Sequence, residues 1–417
     1  MSTDTSFADL EARLRDELPR LADELVALDA DPVAADEVRV LDLADGGARR
    51  RWLVPIAAVA AAVLVLLGVV VAVRVADRHD VGPVDVGPAP VEAGWTPMAP
   101  SPLSPREAAV SVWTGTEVII WGGRVGDTAL LDGAAYNPST DTWRPIAPNS
   151  WGHPAAHAVW TGTEMVVLAK NGGAAYDPAT DTWRDLPRQD GGGGFIAPVW
   201  TGDHLLGVSL DIGAADAVGV SVSTLQAAGG QWLQGPSIDV GGSAFAGTSD
   251  YQVVWTGNEA IVWDGARHGW AYNPSRGSWR ALPELATPDG RVTVQSIPVA
   301  WQGSMLVLSQ SLGGPDGVGI GLERWTERWD DLGGLDAHAI DAHAAAVSAS
   351  DQVLVLPVEG RPVAVHPIDG TWTPLDDAPI PDGADRANVW TGDDVVVWGG
   401  IDAPSGQPTA NGWRWRP

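Results

Sequence analysis

The residues best placed to do chemistry in this 417-residue chain lie in two short strings. One is DAHAIDAH, which carries Asp336, His338, Asp341 and His343. Two imidazoles and two carboxylates are donors that a divalent metal accepts. Tandem duplication of an exposed loop would produce the same string, and the spacing matches no established ligand pattern. No metal is therefore assigned. The other string is NSWGHPAAH, with Trp151, His153 and His157. Its histidines read either as ligand contacts or as solvated loop residues. Trp151 sits mid-loop, where an exposed aromatic often marks a contact; the alternative is that it plugs a channel mouth.

Other chemistry is missing or excluded. There is no cysteine, so a disulfide framework, a cysteine zinc site, an iron–sulfur cluster and a thiol nucleophile are all ruled out. No G-x-S-x-G elbow, H-E-x-x-H, P-loop or paired-carboxylate motif occurs. No catalytic residue and no cofactor is assigned. A net charge of -28 argues against a nucleic-acid partner, because phosphate binding needs a basic surface.

The elements that must position these residues come in four sections. Residues 1–48 form an acidic tail with 13 acidic and 4 basic side chains. Phe7, Leu10, Leu14, Leu18, Leu21, Leu25 and Leu28 recur at three- and four-residue steps, which predicts an amphipathic helix that Pro19 kinks or divides. Such a helix either serves only itself or docks a cytosolic partner. Residues 49–74 hold a basic triplet, Arg49 to Arg51, followed by 22 uncharged residues. At about 1.5 Å per residue that run spans a bilayer core of ~30 Å. It is too long, and too far from the start, for a cleavable signal peptide. The basic flank places the N-terminus in the cytoplasm and the C-terminal section outside. Residues 75–94 are a Pro/Gly linker.

From residue 95 to 417 the chain repeats. A W-T-G turn followed by an apolar run begins at Trp113, Trp160, Trp200 and Trp255, as W-Q-G at Trp301, and again at Trp390; a degenerate copy lies at Ser348. The steps are about 40–55 residues, the period of a propeller blade. Downstream of each turn comes a Trp-bearing strand, with Trp143, Trp183, Trp232, Trp279, Trp329 and Trp372. Each unit therefore reads as four short strands, with turns initiated by Gly and by Asn-Pro or Asp-Pro. One such unit buries little; stacking units around an axis buries both faces of each.

The unit resembles the kelch repeat of the galactose oxidase/kelch superfamily of β-propellers. The residues that carry the resemblance are Gly122-Gly123 with Tyr136 and Trp143, Gly172-Gly173 with Tyr176 and Trp183, and Tyr272 with Trp279; Gly399-Gly400 repeat the pair near the end. The expected fold is all-β, a propeller of seven blades closed by an N-terminal strand. Trp95 reads as a fourth strand lacking its own first three, and Trp413 as the third-strand residue of the last unit. The alternative makes Trp415 itself a fourth strand and leaves Trp95 unpaired. The copper oxidases of this superfamily need a cysteine–tyrosine cofactor, which a cysteine-free chain excludes. The STDTW strings resemble sialidase Asp-boxes but lack the glycine between Asp and Trp, so they read as β-turns.

Three functions compete. The exported propeller binds a protein or glycan through loops joining strand four to strand one and strand two to strand three. Alternatively, the chain transduces a signal, since a short tail, one span and an exported domain resemble the layout of bacterial anti-sigma-type transmembrane regulators. The third reading is an exported polysaccharide-active enzyme.

Overall fold

The fold is taken from a computed structural model. It describes residues 93–149, 157–169, 172–188, 194–212, 218–225, 230–240, 251–286, 292–314, 317–335, 344–358, 360–368, 370–375, 378–380 and 382–417. The tail, the apolar run of 49–74 and nearly all of the linker lie outside them. So do Trp151, His153, Asp336, His338, Asp341 and His343. Among the described residues no helix is long and apolar enough to cross a membrane.

The described residues are all-β, and they form seven four-stranded antiparallel sheets in a propeller-like arrangement. The first sheet is Val110–Trp113, Val118–Trp121, Gly133–Asn137 and Thr142–Ile146. The next five follow the same sequential order. The seventh takes Ala387–Trp390, Val395–Trp398 and Gly412–Arg416 from the end of the chain and Gly94–Pro97 from the start of the repeat region. The first strand of each sheet touches that of the next, and Ala387–Trp390 touches Val110–Trp113, so the contacts run in a closed cycle.

This cycle explains the apolar second strands. A second strand has neighbours on both sides within its sheet and a sheet against each face, so both its faces are dry. Val118–Trp121, Met165–Ala169, Ala260–Trp263 and Val395–Trp398 are buried at every residue. Fourth strands are outermost and more exposed, as in Thr142–Ile146. The core is accordingly divided into layers between sheets. Val112, Ile119, Trp121, Met165 and Tyr176 pack the first against the second. Ile261, Trp263, Met305 and Trp325 pack the fourth against the fifth.

The W-T-G turn closes on its threonine. Thr114 Oγ1 accepts from Glu117 N at 2.9 Å and donates to Glu117 O at 3.0 Å, while Gly115 takes φ +97°. Thr161, Thr201, Thr256 and Thr391 make the same pair of bonds. The fourth-strand tryptophans join one sheet to the next. Trp143 Nε1 donates to Ala99 O at 2.9 Å, Trp183 to Ala147 at 2.7 Å, Trp232 to Pro187 at 2.8 Å, Trp279 to Pro236 at 2.9 Å and Trp329 to Pro283 at 2.8 Å. Each acceptor lies four residues beyond the preceding fourth-strand tryptophan. The same linking residue donates its N–H to an aspartate: Ala99 to Asp141 at 2.9 Å, Ala147 to Asp181 at 2.8 Å. The repeat tyrosine completes the knot, with Tyr176 Oη donating to Asp181 Oδ1 at 2.7 Å. Burial, and then this bond to Asp181, push the Tyr176 phenol up to about 12, so it remains a donor at neutral pH. The D-T-W string is thus a structural turn whose aspartate sits at positive φ, 51° at Asp141 and 52° at Asp181.

Two sequence assignments need correction. Trp95 does pair as a fourth strand, but its partner is Trp415, which in turn faces Val395. Tyr136 makes the equivalent pairings with Trp143 and Val118. Trp415, and not Trp413, therefore holds the third-strand aromatic position, and it is no fourth strand. Secondly, Gly172 and Gly173 are not counterparts of Gly122 and Gly123. They lie inside the third strand, where Gly173 faces Leu168 as Gly133 faces Trp121. Gly122 and Gly123 stand outside the strands at φ +71° and +85°, and Gly399 and Gly400 do likewise at +67° and +88°. A Cβ on Gly123 would meet Glu107 O at 2.6 Å.

Candidate functional site

His157 is the one sequence-singled residue of the two strings that falls among the described residues. It opens the second sheet's first strand, and its side chain meets solvent. Protein crowded around it removes part of its water and lowers its pKa below the ordinary imidazole value. The other candidate residues of those strings lie outside the described residues. Among the described residues, no group of three or more His, Asp or Glu is placed to hold a metal.

Two polar clusters that the sequence reading did not single out have structural explanations. Arg106 is fully buried, and its guanidinium donates to Gly122 O at 3.1 Å and to both Asp132 carboxylate oxygens at 2.8 and 3.0 Å. Arg106 O accepts from Gly400 N at 2.9 Å. Arg106 therefore ties the loop after Gly94–Pro97 to loops of the first and seventh sheets, beside the seam where the ends meet. Asp264, also buried, accepts Ala266 N at 2.8 Å and His268 N at 3.0 Å, and holds His268 Nδ1 at 2.7 Å. That geometry caps a turn.

The open ground lies in clefts between sheets, on the side of the W-T-G turns. One of about 370 Å³ runs between the seventh and first sheets, lined by Asp393, Asp394 and Arg416 among others. Another, about 420 Å³, runs between the third and fourth and includes Asp203 and His204. The largest, about 590 Å³, runs between the fourth and fifth. Its size falls within the range of small-molecule sites, ~300–1,000 Å³. Three arginines reach it, Arg276, Arg280 and Arg324, against two carboxylates, Glu259 and Glu327. Asn258, Asn273, Gln302 and Ser304 add neutral hydrogen-bonding groups.

The fourth and fifth sheets build this cleft from ordinary repeat parts. Arg280 follows the fourth-strand Trp279, as Arg144 follows Trp143 and Arg184 follows Trp183. All three clamp the acid after a W-T-G turn: Arg144 Nη2 to Glu117 at 2.6 Å, Arg184 to Glu164 at 2.6 Å and Arg280 to Glu259 at 2.6 Å. Arg280 also lies 5.7 Å over the centre of the Trp325 ring, which holds it further. Arg280 is thus part of the frame.

Arg276, Arg324 and Gln302 are not. Counted from the tyrosine, Arg276 occupies the place of Thr140 and Thr180, whose hydroxyls bond Thr142 and Thr182 at 2.7 Å. Arg276 is exposed and has no ion pair among the described residues. Arg324 precedes the third-strand aromatic, where the first, second and fourth sheets have buried Ala135, Ala175 and Ala271. Its Nη2 is 3.5 Å from Asp330, while its Nε is buried without a partner. The seventh sheet also has an arginine at this position, but Arg414 is tied across the seam to Pro138 O at 2.7 Å. Gln302 replaces the turn threonine of five other sheets and takes φ 45°. Sequence reading passed over all three, since none belongs to a motif. The signal that finds them is their departure from the repeat once the register is known.

No protein-family model matches the chain, and no curated protein matches it.

Proposed function

We propose that the chain is a binding module: a membrane-anchored, extracytoplasmic, seven-bladed kelch-type propeller that holds a glycan or protein ligand. The observation that carries this reading is the cleft between the fourth and fifth sheets, where the exposed Arg276 and Gln302, which stand in place of repeat threonines, supply a guanidinium and an amide. An open polar cleft on a rigid sheet framework suits recognition, because its groups are held in place before the ligand arrives. The closed cycle of sheets and the fourth strand supplied by Gly94–Pro97 support the blade count. The uncharged run of residues 52–73 after a basic triplet supports the anchor and its orientation.

The test is a ligand screen on the full-length chain in detergent, using arrays of glycans and exported proteins. The expected result is saturable binding without conversion of the ligand. Clean turnover of a glycan or ester would replace this reading with the enzymatic one.

A further inference from the structure

From the cleft between the fourth and fifth sheets we infer that the ligand is an acidic sugar, a uronate-bearing glycan whose carboxylate is taken by Arg276 and Arg324. This rests on the binding-module reading and names the ligand class of the same site.

The inference starts from charge. In a chain of net charge -28, a cleft lined by three guanidiniums and two carboxylates, with Asp330 beside Arg324, carries no net negative charge. Arg280 is engaged by Glu259 at 2.6 Å. That leaves Arg276, with no ion pair among the described residues, and Arg324, whose hold on Asp330 is loose at 3.5 Å. The cations lining the other two clefts are held more closely. Arg416 in the seventh–first cleft is held by Asp394 at 2.6 Å, and the third–fourth cleft pairs Asp203 with His204 at 2.8 Å.

The neutral lining decides between kinds of anion. Asn258, Asn273, Gln302 and Ser304 present amides and a hydroxyl around the arginines. Groups that both donate and accept match the vicinal hydroxyls of a sugar ring. Ser304 Oγ already donates to Trp301 O at 2.8 Å and Asn273 Oδ1 accepts Arg276 N at 3.0 Å, which leaves the Ser304 oxygen as an acceptor and the Asn273 amide N–H groups as donors. Thr140, Ala135 and the turn threonines serve the first sheet itself, whereas Arg276, Arg324 and Gln302 stand in their places and face one cleft.

The experiment is isothermal titration of the full-length chain in detergent with three probes: oligogalacturonate, a neutral galactose oligomer of the same length, and oligoglutamate. Oligogalacturonate is expected to bind and to weaken as salt rises, with the neutral oligomer at least about tenfold weaker. Arg276→Thr and Arg324→Ala install what the repeat has elsewhere, so the fold is retained. Each should cost oligogalacturonate about tenfold or more. Arg184→Thr, on the frame far from the cleft, should leave affinity unchanged. Equal binding of oligoglutamate would overturn the sugar assignment. Neutral oligomer bound as tightly, and lost in Arg276→Thr, would overturn the acidic ligand while keeping the binding module. Oligogalacturonate that fails to bind, or binds unchanged in Arg276→Thr, overturns the inference.

Discussion

In the first two sheets, the polar side chains of the turns are occupied by the sheets themselves. Thr140 bonds Thr142, Asp141 accepts Tyr136 Oη at 2.7 Å, Thr114 closes its turn and Glu117 clamps Arg144. The turns that meet between the fourth and fifth sheets share this frame but differ at three places, where Arg276, Gln302 and Arg324 make none of these bonds. In a repeat protein, side chains common to all units are explained by stacking. Those that break the pattern and gather in one cleft call for another explanation, and binding is the one their chemistry supports.

The comparison can be broken first at the frame. Deleting Gly94–Pro97 removes the outer strand of the seventh sheet, including Trp95. Losing one large aromatic costs about 3–5 kcal/mol, and the lost ladder adds about 1 kcal/mol per hydrogen bond. The midpoint of urea unfolding should therefore fall sharply; an unchanged midpoint would refute closure by this strand. Next comes Trp183, which touches Trp121 and Tyr176 at ring distances of 5.1 Å and bonds the preceding linker. Trp183→Ala should cost about 3–5 kcal/mol in the same assay while leaving ligand affinity intact.

The fifth sheet should also respond to pH. Glu323 is buried there, with Ser309 Oγ donating to it at 3.2 Å and Asp331 nearby. Desolvation raises its pKa from 4.5 to about 7; the Ser309 bond opposes the shift and the Asp331 charge adds to it. An acid whose folded pKa is raised favours the folded state while protonated. Its contribution is fully present below about 4.5 and is lost as pH rises to about 7. The loss is roughly 3 kcal/mol. Unfolding curves from pH 4 to 8 should show this decline, and Glu323→Gln should remove it. The smallest expected effect is on the cleft: Arg276→Thr should change stability by no more than about 0.5 kcal/mol. A larger loss would make Arg276 part of the frame and erase the comparison.

Much of the frame could be read from residue spacing. The W-T-G turns and fourth-strand tryptophans recur because each sheet needs the same turn closure and the same link to its neighbour. The hairpin after Gly400, Ile401–Asp402 with Gln407–Pro408, has four residues at its tip where the hairpin after Gly123, Arg124–Val125 with Thr128–Ala129, has two, so spacing carried over from the first unit lands on Trp413 and not on Trp415. A safer ruler is the glycine three residues before the aromatic, as in Gly133 before Tyr136 and Gly412 before Trp415. A Cβ on Gly412 would meet Met98 Sδ at 2.6 Å, so that spacing is fixed by packing. The cleft was not legible. Its walls come from two different repeats, and Arg324 stands out only once it is seen to occupy the place of Ala135. The histidine strings drew attention by composition alone, and apart from His157 they lie outside the described residues.

The most direct test is a crystal structure of the chain with bound oligogalacturonate. The account predicts a sugar carboxylate within hydrogen-bonding distance of both Arg276 and Arg324, between the fourth and fifth sheets. Sugar bound in another cleft, or against the loop carrying Trp151 and His153, would contradict it.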